Sequence, residues 1–323
     1  MTKLNVTKIT SAEEWTTTHP VTPEDKAAMA GLRAMVTPHK GKMRGVAARE
    51  AFDAIMKRVV APQGVTFQPG TVGGISGWWC KPTHAASNQV LLHLHGGWYN
   101  WGSAAAFCHL VGHIAKRVGV KTFIPDYRLA PEHPFPAAPE DVQACYDGLV
   151  ASGWRNIAIS GDSAGGGLAL GLLAAIMAKA SKNDIKPLGV VVLSPVTDLT
   201  FAGSTWKTRA DVDPYFTHAQ AAELVSSYLG GHDPADPLAS PLLGSHKGLP
   251  PLRVHVGDDE VLLDDSSRYV TRVVAAGGDA KLDIWESMPH GFVSGVGRIS
   301  AANQALDAIG DFLKERLMLG VSA

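Results

Sequence analysis

The chain is poor in cysteine, even in charge and without long hydrophobic runs, and each shortage excludes something. Its three cysteines, Cys80, Cys108 and Cys145, are odd in number and widely spaced. No disulfide framework and no CxxC zinc pattern can be built from them, and a reducing cytoplasm is the simplest setting. The 29 basic and 30 acidic residues leave a formal net charge of −1. A chain so balanced has no bulk attraction for nucleic acid or for an anionic membrane. Residues 1–15 are polar and lack the apolar core of a secretory signal. The longest uncharged apolar stretch, residues 164–178, is too short to span a bilayer. Internal repeats and low-complexity tracts are lacking too. What is present is 46% apolar and 18% charged, enough to bury a sizeable core and too little charge for disorder. A length of 323 residues suits one large α/β domain with insertions.

Residues 1–20 read as a loose arm. Thr22-Pro23-Glu24-Asp25 is a helix start, with a cap residue, a proline in the first turn and acids near the positive end. That helix runs on through Met29, Leu32 and Met35. Residues 46–59 form a second helix, with Ala51, Ile55 and Val59 on one face, separated from the first by Gly41 and Gly45. Neither can bury its apolar face alone, so residues 1–60 must lie against something else. From residue 61 onward the pattern changes. Two short strands, 65–67 and 75–79, are joined through Gly70, Gly73 and Gly74 as an antiparallel start. Strands at 89–95, 121–125, 157–160, 188–193, 253–256 and 281–285 then alternate with helices at 103–118, 137–152, 163–180, 264–276 and 299–317. Such alternation implies a mostly parallel sheet with helices on both faces. Chemistry in such sheets sits at the carboxyl ends of the strands. Residues 197–250 interrupt the pattern with one helix, 219–228, and several Asp-Pro turns. They read as an insertion over the strand ends, a helical cap together with the N-terminal pair.

The richest stretch is Ile157-Ala158-Ile159-Ser160-Gly161-Asp162-Ser163-Ala164-Gly165-Gly166-Gly167. Gly161-x-Ser163-x-Gly165 between a strand and a helix has the form of a nucleophile elbow. A serine on so sharp a turn needs small neighbours, because side chains two positions away would strike strand or helix. A serine hydroxyl also needs a base, and the base an orienting acid. Of the histidines after Ser163, His290 follows the last strand, from where it can reach back to the elbow. His255 lies within a strand, and His218, His232 and His246 lie in the insertion. The loop after residues 253–256 offers Asp258, Asp259 and Glu260, then Asp264 and Asp265, and spacing alone does not choose among them. The last two also suit the first turn of the next helix, and Asp258 and Asp259 suit a turn beside Gly257. His95-Gly96-Gly97-Trp98 after the first long strand can supply backbone amides to an oxyanion. His93-x-His95 could be read as a metal pair, but no third ligand has suitable context.

Together these stretches resemble the hormone-sensitive-lipase-like family of α/β-hydrolase esterases. The match is carried by His95-Gly96-Gly97-Trp98-Tyr99 with Gly102-Ser103, by Asp126-Tyr127-Arg128-Leu129-Ala130-Pro131-Glu132-His133-Pro134-Phe135-Pro136-Ala137-Ala138, and by Gly161-Asp162-Ser163-Ala164-Gly165-Gly166. Asp236-Pro237-Leu238-Ala239-Ser240-Pro241 and Pro289-His290-Gly291-Phe292 complete it. The Tyr-Arg-Leu-Ala-Pro-Glu run is its most specific part. The resemblance implies an α/β-hydrolase fold with Ser163 as nucleophile and His290 as general base. The family's register puts the acid at Glu260, two residues before Leu262 and four before Asp264, with Asp259 as the alternative. It implies an oxyanion hole of the Gly97, Trp98 and Ala164 amides beside Gly96. Trp98 stands where the family has glycine, so its indole either narrows the acyl or alcohol pocket or packs beside the loop. His95, Tyr127, Arg128 and Glu132 are implied to be architectural.

The expectation is therefore a serine carboxylic-ester hydrolase for small, short-acyl esters, without metal or organic cofactor, nucleic-acid partner or membrane. The family also implies a possible homodimer. Lactone hydrolysis by the same residues is the second reading. A non-catalytic small-ligand receptor is the third, and intact Ser163 and His290 argue against it.

Overall fold

The computed structural model describes residues 14–181 and 184–320. Among them, nine strands form one sheet: β1 Thr16–His19, β2 Val65–Val72, β3 Ile75–Pro82, β4 Ala86–Leu94, β5 Val120–Pro125, β6 Asn156–Asp162, β7 Val190–Leu193, β8 Leu252–Gly257 and β9 Ala280–Trp285. Their order is β1-β9-β8-β7-β6-β4-β5-β3-β2. Only β3 pairs antiparallel with its neighbours, β2 on one side and β5 on the other. The helices are α1 Pro23–Val36, α2 Arg49–Met56, α3 Ala104–Val118, α4 Ala137–Ala151 and α5 Ala164–Lys179. The short α6 Thr205–Thr208, α7 His218–Leu229, α8 Leu263–Ala275 and α9 Ser300–Leu319 follow.

The unbroken apolar strands have a simple cause: helices cover both faces of the sheet. Alternate residues of one strand serve the two sides. Leu91, Ala158 and Val191 meet Val111 and Ile114 of α3 and Leu306 and Ile309 of α9. Leu92, Ile159 and Val192 meet Leu149 of α4, Leu170 and Leu173 of α5 and Val270 of α8.

The N-terminal arm departs from the sequence expectation. Thr16–His19 is a parallel edge strand on β9, Thr16 opposite Leu282 and His19 opposite Trp285. His19 stacks on Trp285 at 3.9 Å and its Nε2 meets Asp283 at 2.7 Å. A Thr-Thr-Thr-His run has no apolar alternation, so periodicity could not announce it. The expected second helix is shorter than 46–59: Val46–Ala48 is a 3-10 turn and α2 covers only Arg49–Met56. The first hairpin is longer than expected. Gly70 lies inside β2 because the Trp79 indole occupies the space of a Cβ, 2.7 Å away.

The N-terminal segment is tied down by buried charge. Thr22 caps α1 by accepting the Asp25 amide at 3.1 Å. Asp25, itself buried, then caps α9: it accepts the amides of Ser300 and Ala301, both at 2.8 Å, and the Ser300 hydroxyl at 2.6 Å. Burial works against its charge, but these three donors outweigh it and hold its pKa below the ordinary aspartate value. Asp25→Ala should cost about 2 kcal/mol in urea unfolding at neutral pH, from the lost cap and its charged hydrogen bonds. Because the folded pKa is depressed, that contribution is full above about pH 4 and is lost as pH falls further. The wild-type and variant unfolding curves should therefore converge in acid.

Candidate active site

Ser163 sits on the turn between β6 and α5 with φ 55° and ψ −123°, a conformation costly for a residue with a side chain. Two contacts hold it there. Its amide donates to the Leu193 carbonyl at 2.7 Å and its own carbonyl accepts the Val196 amide at 3.0 Å, so the end of β7 braces the turn. The flanking glycines are required by space. A Cβ at Gly161 would lie 2.3 Å from the Gly165 carbonyl oxygen, and one at Gly165 would lie 2.0 Å from that of Leu94.

The loop after β4 closes over the serine. A Cβ at Gly96 would lie 3.0 Å from the Ser163 Cβ. The Gly96 amide donates to Asp162 at 3.1 Å. This corrects the expectation that placed Gly96 in the oxyanion hole, since its N–H is already claimed by a carboxylate. Among the described residues, no acceptor takes the amide of Gly97 or Trp98. Ala164 opens α5, where the amides have no intrahelical partner. Trp98 and Tyr99 both have positive φ, 53° and 61°. Their rings hold them there. Tyr99 stacks on Tyr228 at 3.8 Å, and Trp98 packs edge-on against Phe216 at 5.3 Å. Asn100 pins the same loop to α7, donating to the carbonyls of Trp98 at 2.6 Å and Leu224 at 3.0 Å.

His290 lies after β9 and its Nδ1 meets Glu260 Oε2 at 2.8 Å. Since a carboxylate can only accept, the proton is on Nδ1 and the Nε2 lone pair is free to take another. Glu260 is fully buried after β8. Its other oxygen accepts the Ser194 hydroxyl and the Gly257 amide, both at 2.7 Å. Burial pushes the His290 pKa down, but the Glu260 hydrogen bond and charge, helped by Asp213 and Asp162, more than offset this and raise it. Ser163 and His290 line one cavity of about 440 Å³. Among the described residues no hydrogen bond joins them, a contact that such sites tighten around a substrate.

The neighbouring acids are committed elsewhere. Asp259, the alternative by sequence, is held by Arg33 of α1 at 2.5 Å. Asp258 accepts the Ser287 amide at 2.6 Å. Asp264 accepts the amides of Ser204 and Thr205 at the start of α6. Asp265 accepts those of Thr197 and Asp198, and burial raises its pKa to about 7. His255 is buried within β8 and its pKa is pushed down to about 4, chiefly by that burial. His93 and His95 do not converge on a metal position. His93 bonds Ser160 and Asp162, while His95 stacks on Tyr127 at 4.3 Å and bonds the Gly96 carbonyl at 2.8 Å. Sequence reasoning missed Asp162 as the brace of the loop after β4 and Ser194 as the second hand on Glu260. Asp162 was visible inside the elbow stretch. Ser194 had only its place at the end of a central strand.

A family model described as alpha/beta hydrolase fold matches residues 91–294. An acetyl-hydrolase of Streptomyces hygroscopicus is 35% identical over 246 residues, covering 76% of this chain and 81% of the relative. An esterase of Acinetobacter venetianus is 30% identical over 285 residues, covering 87% and 93%. Among solved structures, an esterase from the bacterial hormone-sensitive lipase family superimposes with a TM-score of 0.82 at 36% identity, covering 92% of this chain and 99% of that one. An esterase/lipase from an uncultured bacterium gives 0.84 at 33% identity, covering 92% and 100%.

The buried Glu260 carboxylate should be visible in the titration of its neighbour. The His290 ring, followed by NMR, should titrate above the ordinary histidine value, and in Glu260→Gln it should titrate well below the wild type, because only Asp213 and Asp162 are then left to oppose burial.

Proposed function

The chain belongs to the α/β-hydrolase fold family, among its hormone-sensitive-lipase-like esterases, and from that premise we propose that it is a carboxylic-ester hydrolase working through a serine acyl-enzyme. One observation carries the reading. A buried glutamate orients a histidine whose free nitrogen shares a cavity with a strained serine, beside amides with no partner of their own.

In this mechanism Ser163 Oγ attacks the ester carbonyl and His290 Nε2 takes its proton. The carbonyl oxygen, now negative, is held by the amides of Gly97, Trp98 and Ala164. His290 returns the proton to the leaving alcohol as the C–O bond breaks. Water then attacks the acyl-serine, with His290 again as base, and the acid is released. Glu260 holds the Nδ1 proton and stabilises the imidazolium. Tryptophan in place of glycine keeps the backbone N–H, so the hole need not lose a donor at Trp98.

Helices α1 and α2 with residues 197–250 act as the cap over this site. Arg33 ties α1 to Asp259 and to the Ser287 carbonyl at 3.0 Å. Arg49 of α2 reaches the carbonyls of Asn100 and Ala130, both at 2.8 Å, and forks onto Glu132. The cap thus grips both loops that carry the chemistry. Among the described residues no helix is long and apolar enough to cross a membrane. The three cysteines are free thiols, in keeping with a reducing compartment such as the cytoplasm.

Hydrolysis of p-nitrophenyl esters of increasing acyl length, run beside Ser163→Ala, is the test. Short esters should turn over, and the variant should lose several orders of magnitude in kcat. Turnover of lactones alone would move the substrate class. An inert wild type that binds a small ligand would replace the enzyme with a receptor. Two acid variants should separate the carboxylates. Glu260→Gln should lower kcat about 10³–10⁴-fold, by analogy with other serine triads, and shift the acid limb of kcat/KM to lower pH. Asp259→Asn should change kcat far less.

A further inference from the structure

We infer that Asp213, a residue of the insertion that does not line the cavity, is a positioning residue for both Glu260 and His290. The inference deepens the ester-hydrolase reading, on which its kinetic test rests. Asp213 is fully buried. Its two carboxylate oxygens reach two different parts of the site. Oδ1 accepts the amides of Tyr215 at 2.8 Å and Phe216 at 2.9 Å, on its own turn. Oδ2 accepts the amide of Val261 at 3.0 Å, 48 positions further along the chain.

Each oxygen acts on one member of the Glu260–His290 pair. The Val261 amide belongs to the peptide that joins Val261 to Glu260. Oδ2 therefore holds the backbone from which the Glu260 side chain reaches the His290 ring at 2.8 Å. The Phe216 amide, held by Oδ1, fixes where the Phe216 ring starts. That ring stands edge-on to the His290 ring, with centroids 5.0 Å apart. One carboxylate thus braces the acid through its backbone and the base through a neighbouring ring.

A turn alone does not require this. An aspartate that accepts amides two and three positions on needs only one oxygen, and it can do so facing water. Burying the carboxylate is costly, and three amides offset that cost. All three are neutral, so they leave the charge uncancelled, and with Glu260 and Asp162 it raises the pKa of His290. The other charged groups around it are engaged elsewhere. Arg33 donates to the Val212 carbonyl and to Asp259, each at 2.5 Å. Lys40 donates at 2.5 Å to the backbone carbonyl of Asp213. Asp258 accepts the Ser287 amide, and the Arg209 charge acts on Asp258. The link between α1 and α2 grips the same turn, the Gly41 amide donating to the Tyr215 carbonyl at 3.0 Å. The place of the acid is therefore set by the insertion and the N-terminal pair as well as by the sheet.

The test sets Asp213→Asn beside Asp25→Asn, a second buried carboxylate that also accepts two amides but lies at the start of α9. Asparagine keeps one oxygen at position 213 and puts a donor in place of the other, so one set of amides is left facing a donor. In Asp213→Asn the His290 ring, followed by NMR, should titrate below the wild type by about 0.5 pH unit or more. The acid limb of kcat/KM on p-nitrophenyl acetate should move to lower pH with it. The kcat should fall about 10–100-fold, as expected when an acid and base are misplaced. Asp25→Asn should lower stability and leave both the ring titration and the acid limb where they are. A His290 titration that is unchanged in Asp213→Asn, or that moves equally in both variants, overturns the inference. Deuterium exchange of the wild type reads the same joint without a variant. The amides of Tyr215, Phe216 and Val261 should exchange together and as slowly as those of β8, because they share one buried acceptor. A Val261 amide that exchanges apart from the other two overturns the inference even where Asp213→Asn does not fold. A wild type inert on the ester defeats the ester-hydrolase reading, while the ring titration and the exchange still decide the role of Asp213.

Discussion

The site depends on how closely the first turn of α5 approaches the end of β4. The two backbones meet where a Cβ at Gly165 would stand 2.0 Å from the Leu94 carbonyl oxygen. That approach puts the N-terminus of α5 beside the loop that starts at His95. It also forces the turn at Ser163 into a positive φ, a strain the sheet has to support. Support comes from the carbonyl of Leu193 and the amide of Val196, so β7 is as much a part of the elbow as β6. Everything else in the cavity is arranged around that fixed contact.

Around it the acids divide the work by what surrounds them. Glu260 is fully buried and has three hydrogen-bond partners, His290, Ser194 and Gly257. Asp162 accepts the Gly96 amide in the loop after β4, and Asp213 accepts the amides of Tyr215, Phe216 and Val261, joining the insertion to the loop after β8. Asp259 faces an arginine of α1. Removing the donors from a buried one would leave its charge unpaired, which is costly. The neighbouring acids therefore have distinct roles although spacing alone does not distinguish them.

This explains what was legible in the sequence. The central strands announced themselves because both faces are covered and each reads as an apolar run. The elbow was legible because sterics restrict the residues beside Ser163 to small ones. Which carboxylate meets His290 was not legible from spacing. What separates Glu260 from Asp259 is Arg33, more than two hundred positions away, and no local pattern carries that. The edge strand at Thr16–His19 was hidden because its partner is Trp285 in the last strand of the sheet. The Gly96 amide looked available for an oxyanion because the reach of Asp162 cannot be seen in a linear chain. The indole of Trp98 had two readings open, and its packing against Phe216 joins the loop after β4 to the insertion.

The most direct test of the account is covalent labelling with phenylmethylsulfonyl fluoride, followed by intact and peptide mass spectrometry across a range of pH. The account predicts a single sulfonyl adduct on Ser163. Its rate of formation should rise with pH through a pKa above the ordinary histidine value, where His290 loses its second proton and can act as base. An adduct elsewhere, no adduct at all, or a labelling rate indifferent to pH would contradict it.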